Sequence, residues 1–131
     1  MSKIEAKVVQ IFSEEDLNTV FFELDIVKLQ MISLELDDIG VGDKVVLHIN
    51  PSHIAISKDA FINSSYPNII SAKIVDIKKG KVLSTVKIEI ADNIFLEALL
   101  TTNSVEKLSL QNDEKIYALI NASEISISAK L

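Results

Sequence analysis

The sequence has no cysteine and no arginine, and each absence removes a class of function. Without cysteine there is no disulfide, no thiolate metal site and no thiol nucleophile, which fits a reducing compartment. Without arginine, all 13 cations are lysines; they stand against 19 carboxylates and leave a net charge of −6. Affinity for nucleic acid comes largely from clustered cations, so phosphate backbones are not the expected partner. The same balance argues against an anionic membrane surface. Aromatic residues make up only 5%, too few for the stacking platforms of a single-strand binder. No stretch approaches the roughly 18 apolar residues of a membrane span. Met1-Ser2-Lys3-Ile4-Glu5 has no apolar run after its lysine, so it does not read as a signal peptide. A cytoplasmic location is expected.

Glycine and proline are also scarce, at three and two residues. Two glycines fall in Asp37-Asp38-Ile39-Gly40-Val41-Gly42-Asp43, and one proline falls in Asn63-Ser64-Ser65-Tyr66-Pro67-Asn68. These stretches mark a loop and a linker. What is abundant is apolar: 48% of 131 residues, with a positive mean hydropathy of +0.31. That is ample for a packed core in one ordinary domain or two very small ones.

The apolar residues alternate in short β-branched segments. Ile4–Ile11, Thr19–Ile26, Leu29–Leu34 and Lys44–Ile49 read as strands, and Ile54–Ser57 reads as the strand that closes the unit. After the linker the pattern restarts. Ala6–Leu24 aligns without gaps on Ala72–Ile90, and Ala6, Lys7, Val9, Ile11, Leu17, Thr19, Val20 and Glu23 recur as Ala72, Lys73, Val75, Ile77, Leu83, Thr85, Val86 and Glu89. Near the ends, Ile49-Asn50-Pro51-Ser52-His53-Ile54 recurs as Ile120-Asn121-Ala122-Ser123-Glu124-Ile125. Two copies with so long a period are not a solenoid. They predict an all-β chain of two tandem OB-like small β-barrel modules, at 1–60 and 69–131, joined by a linker at 61–68. A module of this size is marginal alone, so the copies are expected to pack on each other or on another chain. A helical turn is expected in copy two, with Asn103 as N-cap and Glu106 completing a capping box. Ser33-Leu34-Glu35-Leu36 is its expected shorter counterpart.

Catalytic and metal chemistries find no support in the residues. His48 and His53 are the only histidines. They flank the Asn50-Pro51 break without carboxylates at ligand spacing, so no bare-metal site is expected. There is no Gly-x-Ser-x-Gly and no Ser-His-Asp set. Lys78-Lys79-Gly80-Lys81 lacks P-loop spacing and reads as a solvated hairpin tip. Glu14, Glu15, Asp16, Asp37 and Asp38 fall in turns, where acids face water. The chain reads as a binding protein, not an enzyme.

Copy two resembles the molybdate-binding Mop/TOBE domains. Those modules open with Ser-x-Arg-Asn, run through a Lys-Lys-Gly turn and a Thr-x-x-Ser-x-x-x-Leu-x-Leu segment, and close on Ile-Lys-Ala-Ser/Thr. The matching runs here are Ser65-Tyr66-Pro67-Asn68, Lys78-Lys79-Gly80, Thr101 through Leu110, and Ile120-Asn121-Ala122-Ser123. Copy one resembles the family more distantly. Its Val41-Gly42-Asp43-Lys44-Val45 is similar to the TOBE tails of transporter ATPases. The two-module arrangement resembles di-Mop, molbindin-like proteins and the effector half of molybdate-responsive regulators; no stretch reads as a helix-turn-helix.

The resemblance implies a molybdate or tungstate ligand, with no organic cofactor, for storage or sensing in molybdenum homeostasis. It implies a homo-oligomer, dimer or trimer, whose sites lie where subunits meet. Carried over by position, the oxyanion-binding residues would be Ser65, Asn68, Thr101, Ser104, Asn121, Ala122 and Ser123, with Lys73, Ser33, Asn50 and Ser52 as secondary candidates. Hydroxyls and N–H groups at a helix start suit a tetrahedral dianion. Two departures stand out: Pro67 occupies the place of the family arginine, and Asn121, like Asn50 in copy one, occupies that of the family lysine. Charge-assisted hydrogen bonds are roughly twice as strong as neutral ones. The alternative reading is therefore an oligomerisation or protein-interaction module whose anion site has degenerated.

Overall fold

A computed structural model describes residues 2–59 and 63–131. Residues 60–62, the end of the first expected module and the start of the expected linker, lie outside the described residues. Among the described residues, ten strands form two five-stranded sheets, accompanied by one short α-helix. In the first half, β1 (Ser2–Glu14), β2 (Leu17–Leu24) and β3 (Val27–Ser33) form an antiparallel meander, and β4 (Lys44–Ile49) pairs with the free side of β1. In the second half, β6 (Asn68–Lys79), β7 (Leu83–Ala91), β8 (Ile94–Thr101) and β9 (Lys115–Ile120) repeat that arrangement. Alternation sets the faces: Val20, Phe22 and Leu24 point inward with Leu29 and Met31, as do Val86, Ile88 and Ile90 with Leu96 and Ala98. One buried apolar cluster runs through both halves.

The closing strands are exchanged. The short β5 (Ala55–Ser57) follows β4 in the chain but pairs with β9 of the other sheet, Ala55 opposite Leu119. Likewise β10 (Ile125–Lys130) leaves its own half and pairs with β4, Ile125 opposite Ile49. The sheet orders are therefore β10-β4-β1-β2-β3 and β5-β9-β6-β7-β8. Ile54–Ser57 thus closes the second sheet rather than its own, which corrects the sequence reading. The period-two pattern fixes which face a strand buries but not which neighbour it takes.

The exchange is reciprocal, so the halves are related by an approximate twofold, and details repeat across it. Each long first strand bulges at the same place in the repeat, between Val8 and Gln10 and between Ile74 and Asp76. There the loop ahead of β4 or β9 fills the gap: Val8 N–H donates to Asp43 O and Gly42 N–H to Val8 O, while Ile74 N–H donates to Glu114 O and Asp113 N–H to Ile74 O. Gly42 takes φ +96°, the left-handed region open to glycine; Asp113, at φ 68°, occupies the matching place. Each exchanged strand is gripped by its host. Lys58 follows β5 and reaches Glu114 Oε2 (3.0 Å) and Leu108 O (2.8 Å). Lys130 at the end of β10 reaches Asp43 Oδ2 (3.4 Å) and Asp38 O (2.9 Å).

Helix α1 (Thr102–Lys107) is present in the second half, but its cap is Thr101 rather than Asn103. Both residues are good N-caps. Thr101 prevails because β8 ends there, paired with Leu83, and because the Thr102 hydroxyl turns inward to Gly80 O (2.9 Å) and Ser84 Oγ (2.7 Å). The expected counterpart at Ser33–Leu36 is not helical. Ser33 closes β3, and its hydroxyl donates to Glu35 O at 2.6 Å, a local bond that competes with a helix start. Both halves do carry a single 3-10 turn at the repeated phrase, Pro51–His53 and Ala122–Glu124.

Candidate functional site

Each of the two 3-10 turns joins a module to the strand it lends away. The Pro51–His53 turn packs on β8 and the Ala122–Glu124 turn packs on β3. The turns also meet each other: His53 Nδ1 lies 2.6 Å from Glu124 Oε2. Two clefts flank this junction. One is lined by Ser52, His53, Tyr66, Leu99, Leu100, Asn121 and Glu124. The other is lined by β3, the following loop and β10, including Ile32, Ser33, Glu35, Asp37, Ser123, Ser126, Ser128 and Lys130. Ser52 in one cleft corresponds to Ser123 in the other.

The sequence-derived candidates divide between these places. Asn121 and Ser52 line the first cleft directly. Ser65 is exposed and Thr101 caps the helix; each is one residue along the chain from a lining residue of that cleft, Tyr66 and Leu100, without lining it itself. Ser104 donates its N–H to Thr101 Oγ1 (3.1 Å) and accepts the Thr101 hydroxyl proton at 2.7 Å, so both hydroxyls are engaged in the cap. Ser33 and Ser123 fall together in the second cleft. Ala122 is buried, which leaves it a backbone role.

The two asparagines of the repeated phrase differ. Asn50 Oδ1 accepts from Ser52 N–H (3.0 Å) and Ser52 Oγ–H (2.9 Å), capping its own turn. Asn121 makes no side-chain cap bond and remains exposed. Pro51 at the first turn position suits the capped geometry in copy one; copy two has Ala122 there.

Two candidates stand apart. Asn68 is 1% exposed and its amide is fully engaged between the sheets. Its Oδ1 accepts from Gln30 N–H (2.7 Å), and its Nδ2 donates to Gln30 O (2.9 Å) and Ile120 O (3.1 Å). It pairs with the edge of β3 as a neighbouring strand would. Lys73 is exposed on β6, 3.9 Å from Asp113 Oδ1, in a separate depression with Glu89 and Lys115.

Charge at the clefts is balanced toward the acidic. In the first, the only basic group among the lining residues is His53, and it is held by Glu124. In the second, Lys130 is held by Asp38 and Asp43. The Gly40 N–H donates to Asp43 Oδ2 (2.8 Å), and that bond, assisted by Lys130, holds the Asp43 carboxyl below its ordinary range. Desolvation pulls Lys130 down, but Asp38 and Asp43 outweigh it and leave its ammonium raised. His48, on β4, has its Nδ1 buried without a hydrogen-bond partner among the described residues.

Sequence reasoning misses the His53–Glu124 contact and the place of Tyr66. A signal for the contact exists: His53 and Glu124 occupy the same position in the repeated phrase, and residues at one position of a twofold repeat meet wherever the axis passes.

The profile of the TOBE domain matches residues 64–127. The crystal structure of the cytoplasmic molybdate-binding protein ModG, in its form with molybdate bound, is similar in fold at a TM-score of 0.91 and 19% identity. The match covers 98% of this chain and 95% of that one. No curated protein sequence matches.

Proposed function

We propose that this chain, whose residues 64–127 match the profile of the TOBE domain, is a cytoplasmic binding protein for molybdate. In this reading tungstate is an equivalent ligand, the role is storage or sensing, and the working form is a homo-oligomer. The observation that carries the reading is the near full-length likeness to a molybdate-bound protein, over a chain whose hydroxyl-bearing turns line two clefts. The Asn121 amide supplies neutral donors in one cleft, beside Ser52, whose N–H and hydroxyl are given to Asn50; the Ser123 hydroxyl supplies one in the other, beside Ser33, whose hydroxyl is given to Glu35. A dianion held by hydroxyls, an amide and backbone N–H groups gains hydrogen bonds without needing net positive charge.

Titration calorimetry with molybdate, tungstate and sulfate tests the proposal. Binding of the first two, with weaker or no response to sulfate, is the expected outcome. No heat and no thermal shift with any of them at millimolar concentration would defeat it.

Three observations favour a second reading, a binding or assembly module without a working anion site. Pro67 and Asn121 stand where the family pattern has cations, the Asn68 amide is engaged inside the fold, and the clefts carry Glu35, Asp37 and Glu124. On this reading, molecular mass and stability are indifferent to molybdate and tungstate.

A further inference from the structure

The twofold that relates the halves also relates two hairpin tips of opposite charge. The β1–β2 tip carries Glu14, Glu15 and Asp16; the β6–β7 tip, at the same place in the repeat, carries Lys78, Lys79 and Lys81. All six are exposed. Among the described residues none of them has an ion-pair partner within 4.0 Å. Each tip also exposes apolar surface. Phe12 (57%) and Leu17 (50%) flank the acidic tip, and Val82 (73%) and Leu83 (50%) lie on the basic one. Phe12 stands edge-on to Phe21, ring centroids 6.0 Å apart, so the acidic tip presents a formed aromatic ledge.

We propose that these tips are complementary docking surfaces through which one copy of the chain binds the next, head to tail. Three carboxylates face three ammoniums, and each set is bordered by apolar side chains that a contact would cover. Like tips repel, so a symmetric tip-to-tip pairing is disfavoured and the contact is heterologous. A heterologous contact closes into a ring or extends as an open chain, depending on its rotation. The basic tip is less suited to nucleic acid, because the chain's net charge of −6 opposes a polyanion. The inference adds a contact surface to the oligomer of the proposed function and stands without the oxyanion.

Sedimentation velocity tests it with three proteins: the full chain, an acidic-tip variant (Glu14→Lys, Glu15→Lys, Asp16→Lys) and a basic-tip variant (Lys78→Glu, Lys79→Glu, Lys81→Glu). The full chain is expected to associate at about 50 mM NaCl and to weaken at about 500 mM, where the screening length falls well below roughly 8 Å. Each variant alone, with an unchanged melting transition, is expected to lose about tenfold or more in association constant, since like charges now face one another. An equimolar mixture of the two variants is expected to regain association. A full chain that stays monomeric at low salt, a variant that keeps the parental mass, or a mixture that stays monomeric overturns the proposal. Association that follows molybdate but ignores salt overturns it while supporting the oxyanion reading. Salt-dependent association with no molybdate binding supports the tip contact and counts against that reading.

Discussion

His53 Nδ1 and Glu124 Oε2 lie 2.6 Å apart, and the two residues are the same position of one duplicated phrase. The contact joins the turns from which the exchanged strands depart. It is part-exposed, with side-chain accessibilities of 46% and 33%, so its strength is that of a surface pair. A double-mutant cycle with His53→Ala and Glu124→Ala is expected to give a coupling of about 0.5 kcal/mol. A coupling indistinguishable from zero would show that the turns meet without holding one another.

The exchanged strands make each half dependent on the other. Ile54, just ahead of β5, and Ile125, the first residue of β10, are 2% and 3% exposed. Truncating either to alanine removes buried methylenes and leaves a cavity in the shared core. Each is expected to cost about 2–5 kcal/mol, read as a lower urea midpoint with an unchanged slope. Residues 1–59 expressed alone keep β1 beside β4 but lack β10, the strand on its other side. A cooperative, monomeric melt of that fragment would contradict the dependence.

Asn68 acts as a strand partner to Gln30 from inside the protein. Asn68→Ala leaves the Gln30 N–H and C=O and the Ile120 C=O without that partner. An unsatisfied buried group costs about 1–3 kcal/mol; only the Ile120 bond is buried and the two Gln30 bonds are part-buried, so the variant is expected to lose about 2–4 kcal/mol by chemical denaturation. Where the variant stays folded, its molybdate affinity is expected to match the parent. A selective loss of affinity at unchanged stability would return Asn68 to the ligand set.

The β segments and the duplication were legible because alternation survives in both copies, down to the shared bulge at Val9 and Val75. The exchange was not, since Ile125 and Ile54 bury the same faces whichever sheet they join. The helix start was legible only to within two residues, because Thr101 and Asn103 both suit an N-cap and the choice depends on the tertiary bonds of Thr102. The candidate site was legible in part. Asn121, Ser123 and Ser33 reach the clefts, while nothing in the local pattern of Asn68 tells a ligand amide from one that clasps two sheets.

The two knot asparagines offer a direct contrast. Asn50 caps its turn through Ser52, whereas Asn121 makes no cap bond. Asn50→Ala is expected to lower stability by about 1 kcal/mol with little change in molybdate affinity. Asn121→Ala is expected to leave stability within about 0.5 kcal/mol, as for an uninvolved surface residue, and to weaken molybdate binding. Paired thermal melts and calorimetry separate the two. Equal effects of both substitutions on affinity would mean that the clefts do not distinguish the asparagines.

The grip of β10 on its host gives the protein a defined response to pH. Asp43 is held below its ordinary value of 3.8, chiefly by the Gly40 N–H and then by Lys130. Its contribution to stability is therefore present above that value and disappears as pH falls through the lower, folded one. Lys130 loses to desolvation but gains more from Asp38 and Asp43, so it is raised above 10.5. Its contribution is present below that value and disappears as pH rises through the higher, folded one. The stability difference between parent and Asp43→Asn is thus expected to be level across neutral pH and to shrink below about pH 4, where the unfolded-state carboxyl begins to bind its proton. The difference between parent and Lys130→Met is expected to be level through neutral pH and to shrink above about pH 10. Both side chains are part-exposed, at 29% for Asp43 and 40% for Lys130, so added salt should reduce each difference. Melting curves at stepped pH give the readout. An Asp43→Asn difference that grows as the solution is acidified would reverse the sign and rule out the grip.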